Sequence, residues 1–205
     1  MAARTITTLD DLKALYGEIS APALAKERTA LTPHYRAFVE AAPFMVIATI
    51  GPKGLDTSPR GDPAGFVHVV DDKTLLIPDR RGNNRLDTLK NILHDPRISL
   101  IFLIPGVGEA LRVRGRAEII QDDELAAGFV MQGKAPTTLL RITIECVYFQ
   151  CQKAIARSRL WDPASVIDRT TLPTAGEMVE ALVSEPFDGK AYDADYPERL
   201  KRTIY

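Results

Sequence analysis

Two hydrophobic periodicities divide the chain. From Phe44 to Phe149, outside 85–93 and 122–131, apolar residues come in short runs or in alternation, bounded by Gly, Pro and Asp. Before and after that stretch they recur every three or four positions. Phe44 to Ile50 is a continuous apolar run closed by Gly51-Pro52-Lys53-Gly54, the pattern of a buried strand entering a turn. Leu55 to Arg60 resumes as the second arm of a hairpin. Phe66 to Val70 and Leu75 to Ile77 flank Asp71-Asp72-Lys73 and predict a third and a fourth strand. Ile98 to Ile104 predicts a fifth, ended by Pro105-Gly106. Ala110 to Ile120 alternates without a break. Leu111, Val113, Gly115, Ala117 and Ile119 take one face, and Arg112, Arg114, Arg116 and Glu118 take the other. The arginine row reads as a wet face with ion pairs or as a subunit interface with acidic partners. Arg141 to Phe149 alternates again, with Ile142, Ile144, Cys146 and Tyr148 on one side. About seven strands with few helices between them predict antiparallel pairing, and a sheet that long loses its open edges by curling into a barrel.

The flanks read as helix. Leu9, Leu12, Leu15 and Tyr16 form a short stripe capped by Thr8 or Asp10, and Pro22 breaks it. Pro33 after Thr32 starts a second helix lined by Tyr35, Phe38 and Val39. Both are expected to form a packing collar around the sheet. Asp122 to Met131 predicts a short helix. Thr174 to Val183 predicts another, with Thr174 and Glu177 as a capping box. Asp195 to Tyr205 reads as a polar tail whose Leu200 and Ile204 pack.

The candidate chemistry lies where the fourth strand ends. Thr74 to Ile77 stops at Pro78, and Asp79-Arg80-Arg81-Gly82-Asn83-Asn84-Arg85 makes a polar turn. Leu86, Leu89 and Leu93 then predict a helix over 85–93, capped by Asn83 or Asn84. Three arginines at a helix start favour an anion, because free N–H groups, the helix dipole and forked guanidinium donors converge there. A phosphate-bearing ligand fits this pattern. So does a plain solvated turn.

Charge and composition narrow the rest. The net charge of −1 leaves no bulk field to recruit nucleic acid or an anionic membrane, so any anion site is local. Two cysteines, Cys146 and Cys151, are too few for a disulfide scaffold and point to a reducing cytoplasm. Residues 1–11 have no apolar core of signal-peptide length, and no stretch is apolar enough to span a bilayer. A 205-residue chain of this composition is expected to be one domain. Gly128 to Lys134 has Walker A spacing but lacks the following Ser or Thr and follows a helix-like stretch. Gly106-Val107-Gly108 starts a dinucleotide fingerprint that Leu111 breaks. His34, His68 and His94 are far apart and predict no metal site. Asp62, Asp79 and Asp87 form no evident acid–base pair. No conventional catalytic set is visible, which narrows the options, because an organic cofactor can carry the chemistry while the protein binds and orients it.

Four segments resemble the FMN-binding split-barrel superfamily that includes pyridoxamine 5′-phosphate oxidase, and in particular its uncharacterised FMN-dependent flavoproteins. They are Ser58-Pro59-Arg60-Gly61-Asp62, Leu76 to Arg85, Leu111 to Ala117 and Cys151 to Trp161. The resemblance spans about Phe44 to Trp161. It implies an α+β fold, mostly β with flanking helices: an antiparallel Greek-key split β-barrel with its core at 44–161, a helical segment at 1–43 and a helical extension at 162–205. It also implies a homodimer with two FMN sites at the subunit interface and oxidoreduction of a small molecule. Carried onto this chain, Arg60, Arg81, Asn84 and Arg85 hold the FMN phosphate. Ser58, Gly61, Asp62, Pro78 and Asp79 line the flavin. Lys153, Arg157, Ser158 and Trp161 come from the partner subunit. The Arg-x-His segment with which pyridoxamine phosphate oxidase grips its substrate has no counterpart in Pro197 to Tyr205, so vitamin B6 is not the expected substrate. The other readings are a flavin store or redox sensor without turnover, and a related barrel that binds haem or a deazaflavin.

Overall fold

The apolar run that begins at Phe44 forms β1 (Phe44–Gly51) in a computed structural model that describes residues 3–205. Met1 and Ala2, the start of the predicted N-terminal segment, lie outside the described residues. β1 turns through Pro52-Lys53 into β2 (Gly54–Gly61), and the two pair from Gly51 with Gly54 to Phe44 with Gly61. The remaining strands are β3 (His68–Val69), β4 (Thr74–Asp79), β5 (Arg97–Leu103), β6 (Ala110–Ile120) and β7 (Thr138–Gln150). They form one seven-stranded sheet in the order β2-β1-β5-β6-β7-β4-β3, antiparallel at every pairing.

Two strands differ from expectation. Only His68 and Val69 of the predicted third strand pair, while Phe66 and Val67 bury their side chains from the preceding loop. β4 runs through Pro78 rather than stopping before it, pairing there with Leu139 of β7. β3 reaches no further than Leu76, so the far side of β4 is unpaired at Pro78, where a residue without an N–H is tolerated.

β6 keeps its predicted faces, with Leu111, Val113, Gly115 and Ala117 inside. β7 does not. Arg114 pairs with Cys146 and Gly115 with Ile144, which leaves Glu145 as the extra residue of a bulge. The bulge resets the alternation. Ile142 and Ile144 are buried, the next buried side chain is Val147, and Cys146 and Tyr148 turn toward the arginine face. There the Arg112 guanidinium lies 5.2 Å from the Tyr148 ring, and Arg141 of β7 bonds Glu118 of β6 at 2.7 Å.

The sheet encloses Met45, Ile47, Leu75, Ile77, Leu100, Phe102, Leu111, Val113, Leu140 and Ile142, all fully buried. Each such side chain contributes about 1.5–3 kcal/mol. In the sheet order β2 is first and β4 is sixth. Their ends nevertheless meet: Arg60 Nη2 lies 3.8 Å from Asp79 Oδ1, and Arg80 Nε lies 2.7 Å from Asp62 Oδ2. The curl closes through side-chain ion pairs rather than a backbone ladder, which makes the architecture a split barrel with flanking helices.

Three helices precede the sheet. α1 (Leu9–Tyr16) is capped by Thr8, whose hydroxyl accepts from the Asp11 N–H. α2 (Ala21–Ala25) carries Pro22 in its first turn, where the missing N–H costs nothing. α3 (Pro33–Ala41) is capped by Thr32 and buries Val39. The expected collar is α3 alone, because Leu9, Leu15 and Tyr16 of α1 are exposed. α4 (Asp87–His94) packs Ile92 and Thr88 inward, and the Asn91 amide donates to the buried Thr49 Oγ1 at 3.0 Å. α5 (Asp123–Ala127), α6 (Lys153–Ser158) and α7 (Ala175–Glu180) are short, and α7 shows the predicted capping box.

The predicted polar tail is instead the end of α8 (Gly189–Thr203), which continues through Pro197. α8 crosses α7 at two glycines, and a Cβ on Gly176 would lie 2.0 Å from the Gly189 carbonyl oxygen. The Gly176 N–H also donates to Asp193 Oδ1 at 2.8 Å. No helix among the described residues is long and apolar enough to cross a membrane.

Candidate functional site

A cleft of about 1150 Å³ opens where the ends of β2 and β4 meet. β2 and the residue after it supply Asp56 to Asp62, β4 supplies Pro78 and Asp79, and the turn with the first residues of α4 supplies Arg80 to Leu89. Lys134 to Thr138 and Ile204-Tyr205 complete the walls.

The turn is built from unusual backbone. Asn84 and Leu86 both have left-handed φ, 58° and 57°. Asparagine tolerates this conformation, but a bulky leucine is strained there, and such strain gathers at ligand sites. Asn83 Oδ1 accepts the Arg85 N–H at 3.1 Å, an Asx turn that uses up the predicted cap. The helix therefore begins two residues later than expected, at Asp87. Neither Asn83 nor Asn84 caps it, and Leu86 at the cap position offers no side-chain acceptor. The first turn of α4 thus faces the cleft with N–H groups that no side chain caps.

The three arginines of the turn have three different environments. Arg80 is tied down: its Nε bonds Asp62, its Nη1 donates to the Phe129 carbonyl at 2.6 Å, and its guanidinium lies 5.3 Å from the Tyr205 ring. Arg85 bonds Asp87 at 2.8 Å, with both side chains largely exposed. Arg81 is exposed and has no ion-pair or hydrogen-bond partner among the described residues. From β2, Arg60 Nη1 donates to Ser58 Oγ at 2.8 Å and to the Pro59 carbonyl at 2.9 Å.

Two titratable groups are perturbed. Burial pushes the Asp79 carboxyl above its usual range, and the Arg60 guanidinium opposes that shift. The Tyr205 phenol is also pushed up, because it donates to Asp62 Oδ1 at 2.6 Å and ionisation would break that bond beside a carboxylate. Asp62 accepts from Tyr205 on one oxygen and from Arg80 on the other.

Of the residues predicted from sequence, Ser58, Arg60, Gly61, Asp62, Pro78, Asp79, Arg81, Asn84 and Arg85 all line this one cleft. Lys153, Arg157, Ser158 and Trp161 of the same chain do not. They follow the far end of β7, whose 13 residues span about 40 Å at 3.3 Å each. Trp161 Nε1 donates there to the Val107 carbonyl at 2.7 Å. Lys134, Thr88 and Tyr205 line the cleft and went unpredicted, since no local pattern in the sequence ties them to the turn. No group of His, Cys, Asp and Glu among the described residues is arranged to hold a metal ion.

A family model described as pyridoxamine 5′-phosphate oxidase matches residues 31–151. No curated protein matches the chain. Among solved structures, HupZ from Group A Streptococcus aligns with a TM-score of 0.46 and 20% identity, over 57% of this chain and 91% of that one. General Stress Protein 26 from Bacillus anthracis aligns with a TM-score of 0.44 and 14% identity, over 56% and 88% of the two chains. An F420 reductase aligns with a TM-score of 0.42 and 17% identity, over 58% and 98%. The family assignment rests on the matched model, which covers all seven strands and the whole arginine turn. With more than half of its 205 residues matched, the chain belongs to the pyridoxamine 5′-phosphate oxidase family.

Proposed function

We propose that the cleft binds FMN and that the protein is an FMN-dependent oxidoreductase of a small molecule other than vitamin B6. The observation that carries this reading is an unpaired Arg81 beside the uncapped first turn of α4, on the wall of a cleft large enough for a nucleotide. That donor set suits a phosphate dianion. Arg85 adds a second guanidinium, Arg60 and Ser58 a third position of donors, and Asn84 an amide. The flavin supplies the redox chemistry when bound, and the chain binds, orients and shields it. Asp79 lines the cleft beside Arg60, and burial raises its carboxyl above the ordinary value. Haem fits less well, since no histidine, cysteine or methionine lines the cleft among the described residues and the hydroxyl of its one tyrosine, Tyr205, is engaged by Asp62.

The working unit in this reading is a homodimer of single-domain chains, each spanning 1–205, with FMN at the interface. Lys153, Arg157 and Ser158 are exposed on α6 and do not line this cleft within their own chain; in this reading a two-fold partner brings them to it.

An absorption spectrum of the purified protein, repeated on the supernatant after heating, tests the cofactor. A flavin spectrum with FMN released is the expected result, and a colourless protein that takes up no added FMN refutes the reading. Steady-state oxidation of NAD(P)H separates an enzyme from a store. Arg85→Ala is expected to weaken FMN binding about tenfold, the low end for a charge-assisted contact because Asp87 already shares that guanidinium. Unchanged affinity in a fluorescence titration removes Arg85 from the phosphate site.

A further inference from the structure

Tyr205 is held in the cleft by contacts far from it in sequence. Its hydroxyl donates to Asp62 Oδ1 at 2.6 Å, its ring lies 5.3 Å from the Arg80 guanidinium, and its main-chain oxygen accepts from Lys134 Nζ at 2.7 Å. Asp62 is in turn held by Arg80 Nε at 2.7 Å, and its side chain is only 3% exposed. A surface tail does not need a buried carboxylate with both oxygens engaged. α8 delivers the residue, and α8 is itself fixed to α7 by the Gly176–Gly189 contact and the Asp193 bond. Ile204 and Tyr205 therefore form a wall of the same cleft that the arginine turn lines. Phe66, which is buried, is the one other aromatic residue of that lining among the described residues. Tyr205 is thus the accessible ring against which a planar ligand can rest.

We propose that Tyr205 is a ligand-contacting residue of the cleft, positioned by Asp62 and Arg80, so that docking of the last turn of α8 with the residues after it, 198–205, and loading of the cleft are coupled. The coupling rests on the FMN reading. Coupling between two binding events is reciprocal. If the docked segment favours FMN by some factor, FMN favours the docked segment by the same factor. Bound ligand must then protect residues 198–205, and loss of the Tyr205 ring must weaken the ligand.

The test uses the full chain with added FMN and reads backbone hydrogen exchange over 198–205 together with flavin emission. FMN is expected to slow exchange in that segment severalfold. Tyr205→Leu is expected to weaken FMN binding at least fivefold and to brighten the bound flavin, because a phenol in contact with a flavin quenches its emission. Tyr205→Phe keeps the ring but loses the Asp62 bond, and an intermediate affinity is expected. Arg85→Ala serves as the reference: it weakens binding without changing emission per bound flavin. A wild-type protein that binds FMN with unchanged exchange over 198–205, and a Tyr205→Leu variant that binds it equally well, overturn the proposal and leave the FMN reading standing. A wild-type protein that takes up no FMN refutes the cofactor reading itself and the coupling with it.

Discussion

Replacing Arg80 by Met tests how the barrel is closed. Arg80 and Asp62 join the turn after β4 to the residue after β2, where no backbone ladder does so. Their side chains are 17% and 3% exposed. Removing one partner of a buried pair leaves the other as an uncompensated charge and costs about 3–5 kcal/mol. Arg80 keeps some contact with solvent, so the lower end, about 3 kcal/mol, is expected. For a chain of this size each kcal/mol shifts the melting temperature by about 2–4 °C, which gives a loss of roughly 6–12 °C. The Phe129 carbonyl loses its donor as well. The assay is urea unfolding followed by circular dichroism, with a thermal melt beside it. Asp62→Asn in the same background removes the stranded charge while keeping an acceptor for the Tyr205 hydroxyl. The double variant should therefore be more stable than the sum of the two single losses predicts, by more than about 1 kcal/mol, since contacting charged groups couple at that scale. A loss below about 1 kcal/mol for Arg80→Met, or additivity of the two changes within about 0.5 kcal/mol, refutes an ion-paired closure.

Two further outcomes follow from other contacts. Gly115→Ala puts a Cβ 2.1 Å from the Thr143 carbonyl oxygen, a backbone atom that cannot swing aside, so a stability loss of about 1–3 kcal/mol or more is expected; an unchanged urea midpoint refutes the close approach at the bulge. Asp79→Asn is expected to stabilise the cofactor-free protein in a pH-dependent way. The folded carboxyl titrates above its ordinary value of 3.8, so the folded state binds more protons than the unfolded state between the two values, and stability falls as pH rises through that window. The Asn variant lacks this penalty. Its advantage over wild type should be absent well below pH 3.8, should grow as pH rises through that window and should stay level above it, as read from urea midpoints, and a difference that does not change across the window refutes the burial argument.

Much of this molecule is written locally. The alternation of Ala110 to Ile120 sets which face of β6 is buried, because a strand's side chains have a period of two and one slip would expose the whole set. Gly51 to Gly54 closes the first hairpin, and Thr174 with Glu177 caps α7, because turns and caps are decided within four residues. The polar turn after Pro78 stands out by residue type alone as a candidate anion site, and the structure places Arg81 and Arg85 on the wall of the cleft. Tertiary structure decided what depends on distant partners. Arg80 looks the same as Arg81 in the sequence, yet Asp62 and the Phe129 carbonyl engage its guanidinium while Arg81 is left without a partner among the described residues. The bulge at Glu145 turns Cys146 and Tyr148 to the outer face because the β7 backbone closes onto Gly115, a contact between strands that no window on β7 contains. α8 has a sparse apolar pattern and an internal Pro197, so its helix depends on packing against α7 rather than on its own periodicity. Tyr205 enters the cleft only because that packing aims it at a carboxylate 143 residues away in the chain. Periodicity and caps are short-range properties, whereas bulges, closure and the choice among like-charged side chains are settled by contacts that exist only once the sheet has curled.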